Sequence, residues 1–93
     1  MDFEFDWDPK KAAANLRKHK TSFAEASTCF HDPLAVTFPD GKHSDEEMRY
    51  LTFGHSAAGR ILLISHTETG ARGIKIISAR KADRNERKIY EEG

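Results

Sequence analysis

The stretch Ile61-Leu62-Leu63-Ile64-Ser65-His66-Thr67 is apolar almost throughout. It lacks the alternation of polar and apolar residues that marks a strand open to water on one side. A segment of this kind reads as a strand covered on both faces. The chain has 93 residues with which to cover it, enough for one domain with one modest core. A chain this short buries only about 60–65% of its unfolded surface.

The remaining segments supply strands and helices in a defined order. Leu34-Ala35-Val36-Thr37-Phe38 alternates and stops at Pro39-Asp40-Gly41-Lys42, a turn signal. Residues 49–55 form the next predicted strand, and 74–78 the last; the short connections favour an antiparallel meander. At the N-terminus, Phe3, Phe5 and Trp7 alternate with acids, as in a half-buried edge strand.

Asp8-Pro9 offers an N-cap and an N1 proline for a first helix, with Ala12, Ala13 and Leu16 as its packing stripe. Ser22 and Glu25 fit a capping box for a second helix, whose apolar face is Phe23, Ala26, Cys29 and Phe30 before Asp32-Pro33 ends it. Asp83 and Glu86 form another such box, so a last helix should start at Arg84. At about 100° per residue, Arg84, Arg87, Lys88 and Glu91 share its solvent face, while Ile89 and Tyr90 point the other way. The expected class is α+β over residues 1–93: two N-terminal helices, an antiparallel β-sheet meander and a C-terminal helix.

Composition narrows the function. A lone Cys29 excludes an intrachain disulfide and a thiolate zinc cluster, which suits a reducing cytoplasm, and its expected role is core packing. No apolar run approaches the ~20 residues of a membrane span, and the N-terminus is acidic where a signal peptide would be basic. Cytoplasmic localisation is therefore expected. Fifteen bases balance fifteen acids, which argues against a polycation that coats nucleic acid.

The signs are nevertheless segregated. Residues 10–20 carry five bases and no acid, and residues 72–88 carry seven bases against two acids. Such segregation fits a localised anion site. The five histidines lack the spacings that build a metal centre, and no nucleotide-binding glycine motif is present, so neither metal nor cofactor is expected. No helix-turn-helix with an exposed basic recognition helix is visible, which weakens a DNA-binding reading.

Three clusters could carry chemistry. Arg80 and Lys81 follow a buried-looking strand and are expected in the link to the last helix, where Arg80 can grip a phosphate or simply pair with a carboxylate. Glu47 and Arg49 lie two apart at a strand entry within His43–Tyr50, so an extended chain projects both to one face, as base and charge stabiliser or as a surface ion pair. Lys18 and His19 end the first helix, where the macrodipole alone justifies cations, or where they contact phosphate and donate a proton. Trp7 and Tyr90 could stack on bases, although core packing explains both.

Together, residues 3–19 (FEFDWDPKKAAANLRKH), 22–27 (SFAEAS), 45–56 (DEEMRYLTFGHS) and 74–93 (IKIISARKADRNERKIYEEG) resemble the BrnT toxins of bacterial toxin–antitoxin pairs, in order and spacing. The most specific pieces are Trp7-Asp8 with Lys11, Asn15, Lys18 and His19, the Glu47-x-Arg49 strand, and the strand ending at Arg80. The resemblance implies a compact fold similar to RelE-type ribonucleases and metal-independent RNA cleavage that inhibits translation. It also implies a BrnA-like antitoxin that masks the toxin in a hetero-oligomer.

On that basis Arg80 and Arg49 are expected to stabilise charge, with Glu47 or His19 in proton transfer. Lys18, Lys81, Arg84 and Arg87 are expected to position the RNA backbone. The alternative is a non-catalytic module that binds RNA or antitoxin through the same cations.

Overall fold

The computed structural model describes residues 2–41 and 47–93. Its elements run β1 (Glu4–Asp6), α1 (Pro9–His19), α2 (Phe23–Thr28), a 3₁₀ turn (Cys29–His31), β2 (Val36–Pro39), β3 (Arg49–His55), β4 (Ile61–Thr69), β5 (Gly73–Lys81) and α3 (Arg84–Glu92). The strands form one sheet in the order β1-β5-β4-β3-β2. Strands β2 to β5 make the expected antiparallel meander. The sheet is nonetheless mixed, because β1 joins the far edge parallel to β5, with Phe5 opposite Ile74. Alternation in residues 3–7 identifies a strand but carries no information about its partner's direction.

Helices α1 and α2 cover one face of the sheet. The core lies between them: Phe23, Ala26 and Cys29 pack on Leu62, Ile64, Ile74, Ile76 and Ala79, with Phe3, Phe5, Trp7, Ala12 and Phe30 closing its sides. Each large side chain buried this way contributes about 1.5–3 kcal/mol. Cys29 is fully buried, and desolvation pushes its thiol up to about 12. It sits directly over Gly54, where an added Cβ would lie 2.8 Å from the Cys29 carbonyl oxygen, so only glycine allows this approach.

Helix starts follow the local signals. Asp8 accepts from the Lys10 N–H at 2.9 Å with Pro9 at N1, and Asp83 and Glu86 cap α3 reciprocally. The second box is half formed. Ser22 Oγ accepts from the Glu25 N–H at 3.0 Å, but the Glu25 carboxylate turns away. It accepts instead from Arg60 Nε at 2.9 Å and Ser56 Oγ at 2.7 Å, tying α2 to the β3–β4 turn. The Arg60 bond holds this carboxyl below its usual pKa.

The packing stripe of α1 also differs from expectation. Ala13 is exposed and Leu16 is half exposed, whereas Asn15 is buried. Strand β1 pairs with β5 only over Gly73–Lys75, so farther along β5 this edge has no neighbouring strand among the described residues. The Asn15 amide takes the strand's place: its Oδ1 accepts from the Ala79 N–H at 3.1 Å and its Nδ2 donates to the Ala79 carbonyl at 2.7 Å. Nδ2 also donates to the Thr21 carbonyl at 2.9 Å. Asn15→Ala should therefore destabilise the fold by about 2 kcal/mol in urea titrations, since buried backbone groups lose their partners. A variant as stable as wild type would mean that the β5 edge re-pairs without the amide.

Candidate active site

Among the described residues no helix packs across the face of the sheet opposite α1 and α2, and strand alternation decides what this open face shows. On β5, Ala79 points into the core, so Arg80 points out. On β4, Leu62, Ile64 and His66 are buried, leaving Leu63 and Ser65 on the open side. A β-bulge between Ser65 and His66 pairs Ser65 with Ser78 and His66 with Ile76, so Ile77 has no opposite residue. Such an insertion re-aims side chains, and both Ile77 and Ser78 line the open face.

A groove of about 430 Å³ runs across this face. Its lining includes apolar Leu51, Leu63 and Ile77 and the hydroxyls of Ser65 and Ser78. Arg49, Arg80, Asp40 and Glu86 bring the charge. The two guanidiniums named from sequence thus share one concavity. Asp40 enters from the end of β2, where its N–H donates to the Arg49 carbonyl at 2.8 Å.

Arg80 belongs to β5, which runs on to Lys81, and not to the link before α3 as its sequence context suggests. The polar end of the strand is retained because Leu63 and Leu62 of β4 pair with Arg80 and Lys81. The Arg80 guanidinium is held end-on by Glu86, with Nη1 to Oε1 and Nη2 to Oε2 both at 2.7 Å. Nη1 also reaches the Lys81 carbonyl at 3.4 Å. Among the described residues no acceptor meets Nε, so the Nε–Nη2 edge keeps two parallel donors in the geometry that suits a phosphate. The Arg80 bond holds the Glu86 carboxyl below its usual pKa, so it stays ionised at neutral pH.

The other expected site residues lie elsewhere. Glu47 sits in a bend before β3, which breaks the extended alternation assumed for it. It lines a separate depression with Met48, Tyr50, Thr67, Glu68 and Gly70. His43, Asp45 and Glu46, which share its segment, lie outside the described residues. Lys18 and His19 close α1, which Asn15 ties to the edge of β5 at Ala79, and neither lines the groove. Lys81 pairs with core-facing Leu62 and is exposed on that side. On α3, Glu86 faces the groove, so Arg84 and Lys88 project to the far side, with Arg87 about 100° from Glu86.

Sequence reasoning missed Glu86, Asp40, Ser65 and Ser78. Glu86 was legible only as a cap; its opposition to the basic face of α3 was the available signal. Ser65 and Ser78 needed the bulge register. Among the described residues no group of three or more His, Cys, Asp or Glu side chains is arranged to hold a metal ion.

A family model described as the ribonuclease toxin BrnT of type II toxin–antitoxin systems matches residues 7–86. The crystal structure of the Brucella abortus ribonuclease toxin BrnT superposes with a TM-score of 0.69. It is 22% identical, and the match covers 89% of this chain and 100% of that one, a likeness of fold. No curated protein sequence matches the chain.

Proposed function

Given that the chain belongs to the BrnT family of ribonuclease toxins of type II toxin–antitoxin systems, we propose that it cleaves RNA in the open-face groove without a metal ion. The observation that supports this is the shared groove of Arg49 and Arg80. In this reading the fold works as a RelE-type ribonuclease in the cytoplasm, and cleavage inhibits translation. Its partner is a BrnA-like antitoxin bound in a hetero-oligomer.

RNA supplies its own nucleophile, the 2′-hydroxyl, so the protein has to align that oxygen with phosphorus and stabilise the charge that accumulates there. The Nε–Nη2 edge of Arg80 grips two phosphate oxygens, and Arg49 offers a second cation across the groove. The 2′ oxygen attacks phosphorus and gives its proton to the Asp40 carboxylate, which lines the same groove. As the P–O5′ bond breaks, the 5′ oxygen leaves with a proton from water. The hydroxyls of Ser65 and Ser78 lie along the path of the sugar. Glu47 and His19 act in this reading only where RNA leaves the groove, and Lys18, Lys81, Arg84 and Arg87 hold its backbone beyond the rim.

A non-catalytic RNA- or antitoxin-binding role has one observation in its favour, the occupation of the Arg80 end-on edge by Glu86. Purified protein incubated with RNA in excess EDTA separates the two. Cleavage to fragments ending in a 2′,3′-cyclic phosphate is expected. Intact RNA with a folded protein that still binds it would leave the binding role standing.

A further inference from the structure

Resting on the ribonuclease reading, we infer that Glu86 is a positioning residue, which holds Arg80 end-on so that the Nε–Nη2 edge is the one presented to a phosphodiester. Glu86 is itself fixed from two directions. Its Oε1 accepts from the Asp83 N–H at 2.9 Å while its own N–H donates to Asp83 Oδ1 at 2.8 Å, and both oxygens receive Arg80. The capping box therefore anchors the carboxylate, and the carboxylate anchors the guanidinium.

An arginine on a strand surface has four rotatable side-chain bonds, and ordering them is a cost of binding. Glu86 orders them before substrate arrives. The pair is only partly covered, with the Arg80 side chain 41% exposed and that of Glu86 20%, so RNA can reach the remaining edge.

The carboxylate has a second consequence. Its negative charge lies beside the phosphate seat and opposes ground-state binding, while the aligned guanidinium favours the more highly charged transition state. Removing the charge without removing the cap should thus separate binding from turnover. Glu86→Gln does this, because glutamine serves the capping box as well as glutamate does. Its amide, however, sets a donor against a donor at Arg80.

The expected result is a kcat about 10- to 100-fold lower, of the size a misplaced catalytic group produces, with KM no higher than wild type. The melting temperature should be only slightly lower, because the partly exposed ion pair with Arg80 is lost while the cap is kept. A second readout needs no turnover. The Arg80 Nε–H resonance should shift when a 2′-deoxy oligonucleotide, which lacks the nucleophile, is titrated into wild type. That shift should vanish in Glu86→Gln.

The inference fails if Glu86→Gln cuts RNA as fast as wild type or faster, since the carboxylate would then be occupying the phosphate's seat. It also fails if the oligonucleotide displaces Glu86 from the Nη groups and leaves Nε–H unmoved. If wild type cuts no RNA, the nuclease reading falls, and the resonance titration still decides the role of Glu86.

Discussion

Replacing Arg80 by alanine should lower single-turnover RNA cleavage by about 10²- to 10³-fold, equivalent to about 3–4 kcal/mol of transition-state stabilisation. The magnitude follows from removing a positioned cation that meets two phosphate oxygens at once. The fold should survive, because Glu86 keeps its cap on α3 and is exposed enough for water to take the place of the lost guanidinium. Arg80→Lys should recover little of the rate: an ammonium cannot hold Glu86 and a phosphate along two edges of one plane. Arg49→Ala should also slow cleavage, through the loss of the groove's other cation. Cleavage at the wild-type rate by a folded Arg80→Ala variant would remove this groove from the mechanism.

Acid should weaken the fold through a different residue. His66 is 2% exposed, stacked on Tyr50 and edge-on to Phe30, with Nε2 bonded to Thr52 Oγ1 at 2.7 Å. Desolvation lowers its pKa from 6.5 to about 4. Between those values the unfolded chain binds a proton that the native imidazole does not accept. The contribution of His66 is therefore complete above pH 6.5 and is lost as pH falls toward 4. Its full size is about 3 kcal/mol, a large share of the stability of a small domain.

Urea titrations from pH 7 to pH 4 should show this decline, and His66→Gln should flatten it. Glu25 and Glu86, whose carboxyls are held below their usual range by Arg60 and Arg80, add a separate loss at lower pH that the variant retains. An unchanged slope in His66→Gln would assign the decline to other groups.

Local chemistry was readable wherever cause and effect lie within a few residues. The Asp8 and Asp83 caps, the Arg49–His55 strand and the burial of Cys29 all follow from neighbours in sequence. Glu25 and Glu86 look alike in the chain, each three residues after a capping side chain. They were told apart only by what reached them from elsewhere: Arg60, 35 residues away, took Glu25 out of its box, and Arg80 joined Glu86 in its own.

By itself the sequence determined the element order, the helix starts and the presence of cations at 49 and 80, because propensity, capping and alternation act over one or two turns of chain. Tertiary structure alone decided that β1 lies parallel to β5 and that Asn15 completes a sheet edge 64 residues away. It also brought Arg49, Arg80, Asp40 and Glu86 into one groove while leaving Glu47 and His19 outside. Pairing direction, bulge register and the opposite sides of a sheet are set by contacts between distant segments, and no local pattern encodes them.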